Sequence, residues 1–114
     1  MKNSNYNPKQ AKQINYSGIS GEEKNKKLLI LKKLSDVIRR LSSQLNRTNF
    51  YSKSAACNMQ LASSFFYELI NTYKVNLAQE YGMLLQANNY FNSNQISNGI
   101  LIVRNLASRF KFTN

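Results

Sequence analysis

Between Ser20 and Arg47, Leu31, Leu34, Ile38, Leu41 and Leu45 follow one another at steps of 3, 4, 3 and 4, the spacing that lines side chains along one face of an α-helix. Lys26, Lys33, Arg40 and Arg47 recur at every seventh residue, nearly two full turns, and Lys32 and Arg39 widen their row on one flank. One helix therefore carries an apolar seam that needs partners and, away from it, a positive stripe. Ser20 followed by Glu23 has the spacing of a capping box, and Glu22 adds a carboxylate where the helix dipole favours negative charge. The sequence thus predicts a helix that starts at Ser20 and runs roughly 40 Å at about 1.5 Å per residue.

Partners for the seam follow downstream. After a turn in Asn46 to Ser54, a second amphipathic helix is predicted over Ser54 to Lys74. Its face is Ala55, Met59, Ala62, Phe66, Leu69 and Tyr73, with Phe65 and Ile70 broadening it. A third is predicted from a cap at Asn76, with Leu77, Tyr81, Leu84 and Leu85 as its face. Gly82 weakens it by roughly 1 kcal/mol relative to alanine, and the pattern fades near Asn88 and Asn89. Beyond a loop at Asn92 to Asn94, the positions Ile96, Ile100, Val103, Ala107 and Phe110 predict a fourth helix, although Gly99 to Val103 alone also reads as a short strand. Phe65, Phe66, Tyr73 and Tyr81 fall at core positions. Phe50, Tyr51, Tyr90 and Phe91 fall at expected loops, where they either close the ends of the bundle, the favoured reading, or stack on unpaired bases, as Tyr6 and Tyr16 could. The expectation is an all-α fold: a three- or four-helix antiparallel bundle over residues 20–114, preceded by a flexible basic N-terminal arm over residues 1–19.

Composition removes most chemistry. The 114 residues, 42% of them hydrophobic, suit one domain with a modest core. No histidine is present, so the commonest general base and metal ligand are missing. Cys57 is alone, which rules out an intrachain disulfide or a single-chain zinc finger; beside Ala55 and Ala56 it reads as a small buried hydrophobe. The carboxylates are scattered, and Asp36, four residues from both Lys32 and Arg40, reads as an intrahelical ion pair. No phosphate-cradling loop can be drawn through Gly18, Gly21, Gly82 and Gly99. No enzyme, cofactor or metal site is expected. No apolar run approaches the roughly 18 residues needed to span a bilayer, and an intracellular location, cytoplasm or organelle matrix, is the expectation.

The net charge is +11. Residues 1–57 hold twelve Lys or Arg against three acids, +9, and the remainder four against two, +2, so the amino-terminal half reads as the contact half. Abundant Asn, Lys, Ile and Tyr also fit an AT-rich coding genome, which discounts part of this charge. The expected partner is RNA, with DNA possible, and the candidate nucleic-acid-binding residues are Lys26, Lys32, Lys33, Arg39, Arg40 and Arg47, assisted by Lys9 and Lys12 in the arm. Two alternatives stand beside it. One is a scaffold, or a component of a larger assembly, that uses Leu31, Leu34, Ile38, Leu41 and Leu45 as a homo-oligomer or partner interface. The other is a helix lying on an anionic membrane. LSDVIRRL, Leu34 to Leu41, resembles the second helix of a small four-helix ribosomal protein family that clamps a three-way RNA junction, as does the Tyr81 to Leu85 pattern further on. The His and Asp of that family's RNA contacts are absent here, with Gln44 and Tyr51 near the corresponding places. The carboxy-terminal half resembles the helical domain shared by a steroid-receptor RNA activator protein and a vesicle-coat subunit, without its tryptophan. Membership of neither family is claimed.

Overall fold

The computed structural model describes residues 13–110, with side chains from residue 21 onward. Four helices follow in order: α1 Gln13–Thr48, α2 Lys53–Asn71, α3 Ala78–Asn92 and α4 Ile96–Ser108, with no strand among the described residues. Gly99 to Val103 is therefore helical. Each helix touches two others, α1 with α2 and α4, α3 with α2 and α4. Side-chain pairs give the directions. Tyr51 meets Phe91 while Ser63 meets Tyr81, and Asn46 meets Arg104 while Ser35 meets Phe110, so α3 runs against α2 and α4 against α1.

The boundaries differ from the sequence expectation where local signals mislead. Helix α1 starts at Gln13, leaving Ser20 and Glu23 inside it, so their spacing does not cap it. Gly18 and Gly21 cost helix stability without ending it, and the only proline, Pro8, lies further upstream. Lys9 and Lys12 fall outside the described residues. Helix α2 is capped by Ser52, whose hydroxyl accepts from the Ala55 N–H at 3.1 Å, and it ends three residues before Lys74. Helix α3 is not capped by Asn76 and runs through Asn88 and Asn89, because Ala87 and Phe91 are buried against its neighbours. All three connections carry a left-handed residue: Asn49 (φ 55°), Lys74 (φ 57°) and Asn94 (φ 63°). Asparagine tolerates that region better than most residues, whereas lysine adopts it at a cost.

The core joins the seam of α1 to the predicted faces of α2 and α4 and to part of that of α3, where Leu84 is buried but Leu85, 44% exposed, turns outward while Ala87 and Phe91 take its place. Leu34, Ile38, Leu41 and Leu45 are completely buried, among Ala55, Met59, Phe66, Leu84, Val103 and Phe110, while Leu31 is only partly covered. The seam is used inside this chain, so it is not an exposed surface through which the folded bundle could form a homo-oligomer. Ser35 is also fully buried and donates its hydroxyl to the Phe110 carbonyl at 3.0 Å, fastening the end of the chain's last described segment to α1. Phe91 fills one end of the bundle: the Tyr51 ring stacks on it at 4.2 Å, and a Cβ added at Gly99 would meet its ring at 2.5 Å. Tyr51 and Phe91 thus close an end of the bundle, whereas Phe50 remains 62% exposed. Cys57 is exposed, contrary to expectation. Two positions from both Ala55 and Met59, it is turned to the opposite side of α2 from those core residues.

Candidate functional site

Every cation proposed for α1 downstream of Gly21 is solvent-exposed: Lys26, Lys32, Lys33, Arg39, Arg40 and Arg47. The cause is geometric, since rows offset from a buried seam must face outward on a helix packed on one side. Asp36 pairs with Arg39 at 3.1 Å, one turn away, rather than with Lys32 or Arg40. Both groups are more than two-fifths exposed, and a surface pair of this kind adds little stability.

The structure divides these cations into two groups. Ser43 sits on the outer ridge of α1 and lines the grooves on both of its flanks. Toward α4 the groove, about 580 Å³, is lined by Arg39, Ser42, Asn46, Arg104 and Ser108. Toward the first turns of α2 the groove, about 270 Å³, is lined by Arg40, Gln44, Arg47, Ser54 and Asn58. No carboxylate lines either groove. The polar residues between the arginines are already organised: Arg104 donates to Asn46 Oδ1 at 3.1 Å, and Asn58 donates to Gln44 Oε1 at 3.1 Å. A guanidinium offers five donors in a fixed fork that matches phosphate, so four arginines around a small hydroxyl residue form a surface suited to phosphates.

Arg104 was not among the sequence candidates. It follows the buried Val103, and only the antiparallel packing of α4 on α1 brings it opposite Asn46. Lys26, Lys32 and Lys33 lie upstream and line neither arginine groove. At that end Lys24 and Lys27 face Thr72, Tyr73 and Lys74 across a groove of about 420 Å³, with Glu23 as its acid. Lys24, Lys27 and Lys74 were also missed: the first two lie off the seven-residue cation row, and Lys74 approaches α1 only through the fold. Between α2 and α3 lies a neutral cleft, about 320 Å³, lined by Tyr51, Met59, Gln60, Leu84 and Asn88. Burial there raises the Tyr51 phenol above its usual 10.0.

Among the described residues no cluster of His, Cys, Asp or Glu could hold a metal, and no helix is long and apolar enough to cross a membrane. No family model, curated protein or solved structure matches this chain.

Proposed function

We propose that this chain is a non-catalytic RNA-binding protein, a ribonucleoprotein component, that lays the downstream face of α1 along a phosphate backbone. One observation carries the reading: Arg39, Arg40, Arg47 and Arg104 surround Ser43 over two adjoining grooves that no acid lines. Phosphates neutralised there release counterions, giving affinity that depends on salt more than on sequence. Lys26, Lys32 and Lys33 extend the charge upstream, Lys9 and Lys12 add to it, and DNA is the competing polyanion. The proposal assumes an intracellular setting, cytoplasm or organelle matrix, within a larger assembly.

The test is binding of RNA and DNA oligonucleotides over a salt series. Tight binding is expected at roughly 50 mM salt and a steep loss by roughly 200 mM. Changing Arg40, Arg47 and Arg104 together to alanine should flatten the salt slope by about one unit for each phosphate contact removed. No affinity at the low salt, or an unchanged slope in the triple variant, would refute the reading.

A further inference from the structure

Two leucines of α1 stand outside the core. Leu28 and Leu29 are 51% and 53% exposed, adjacent to each other and off the seam. Leu28 stands four residues before Lys32, and Leu29 four before Lys33, so each leucine lies on an outward cation row one turn away from its lysine. Lys24, itself one turn before Leu28, opens onto the groove where Lys27 and Lys74 converge beside Thr72 and Tyr73, three ammonium groups against the single carboxylate of Glu23. Residues 21–33 hold five lysines against Glu22 and Glu23, a balance of +3. Among the described residues, none of Lys24, Lys26, Lys27, Lys32, Lys33 and Lys74 makes an ion pair.

We propose that this end of α1 docks on the surface of an anionic phospholipid bilayer. Leu28 and Leu29 enter the boundary between headgroups and acyl chains, while the surrounding ammonium groups meet lipid phosphates, those of Lys24, Lys27 and Lys74 in their shared groove. The combination of charge and apolarity selects this occupant. A nucleic-acid backbone satisfies lysines but offers leucine nothing, so the RNA reading leaves this pair unexplained. A second copy would bring two positive segments face to face. Lysine suits a bilayer edge, because its long apolar stem lies beside inserted leucines while its head stays with the phosphates. The inference does not rest on RNA binding, whose arginine grooves lie at the other end of the helix, although Lys26, Lys32 and Lys33 are common to both readings.

The test is sedimentation of the full chain with vesicles of phosphatidylcholine alone and with vesicles enriched in phosphatidylserine. Binding is expected to the anionic vesicles only. The double substitution Leu28→Ser and Leu29→Ser should weaken it by roughly tenfold, since the inserted apolar area is lost. K24A, K27A and K74A together should weaken it at low salt and have less effect at high salt, where screening already removes their contribution. The leucine variant should keep the helical circular dichroism and the cooperative urea transition of the native chain, which shows that it folds. Failure of the folded chain to sediment with anionic vesicles would overturn this proposal whatever the RNA series shows. So would equal binding by the native chain and the leucine variant, or full release by glycerol phosphate at the vesicles' phosphate concentration. A salt-independent dimer that the leucine substitutions abolish, without vesicle binding, would assign the face to a second copy instead; tight binding to an acidic amphipathic peptide without vesicle binding would assign it to a protein.

Discussion

The two halves of α1 are built from the same residue types and end in opposite situations. From Leu34 onward, the apolar residues at seam spacing, Leu34, Ile38, Leu41 and Leu45, are wholly buried; from Gly21 to Lys33 no residue is buried, and Leu28 and Leu29 are about half exposed. The cause is length. Helix α1 has 36 residues, whereas α2, α3 and α4 have 19, 15 and 13. At about 1.5 Å per residue α1 spans roughly 54 Å and α2 only about 29 Å, so α1 outlasts its neighbours. Among the described residues, Ile30 and Leu31 are the furthest upstream hydrophobics of α1 packed against the core. The cations divide at the same point, arginine on the supported half and lysine on the free one. A periodic pattern therefore makes a helix, but only a neighbour turns its apolar positions into a core.

The largest expected effect tests this contrast directly. Leu41→Ala should cost about 2–5 kcal/mol in urea unfolding, because it empties a fully buried site, whereas Leu28→Ala or Leu29→Ala should stay within about 0.5 kcal/mol. Similar losses at Leu41 and Leu28 would show that the upstream half is packed after all. A smaller loss, about 1–3 kcal/mol, is expected for Gly99→Ala, since the new methyl would overlap a Phe91 ring already stacked on Tyr51. It should leave the upstream half untouched, which would be visible as unchanged hydrogen exchange in residues 21–30.

The smallest effect concerns pH. Burial raises the Tyr51 phenol above 10.0, so the folded state holds that proton more tightly than the unfolded chain. Its contribution is fully present below the unfolded value and is lost as pH rises from about 10 through the higher folded value. Thermal scans should show stability declining above pH 10, and Tyr51→Phe should make that decline shallower. An identical decline in the variant would remove Tyr51 as its source.

Legibility in the sequence followed the range of the interaction. The seam of α1 and the faces of α2 and α4 repeat at helical spacing within one segment, and they form the core as read. The start of α1 was misjudged because Ser20 and Glu23 imitate a capping box inside a helix that continues through them. Asn88 and Asn89 looked like an ending because asparagine is a weak helix former; burial of Ala87 and Phe91 overrides that preference, and this depends on what lies opposite. Arg104 and Lys74 are single cations in otherwise unremarkable segments, and only tertiary approach gives them neighbours on α1. Cys57 could have been read correctly, since its two-residue offset from Ala55 and Met59 already points it outward.

The hydrogen bond from Ser35 to the Phe110 carbonyl joins groups 75 residues apart in the chain. On a ribosome adding about 5–20 residues per second, Ser35 is made roughly 4–15 s before its acceptor exists. Through most of that interval the α1 seam lacks α4, whose residues 96–108 are made only toward its end. The α1 seam can pair with α2 well before α4 exists, and the Ser35 bond is made only once the segment carrying Phe110 has been synthesised.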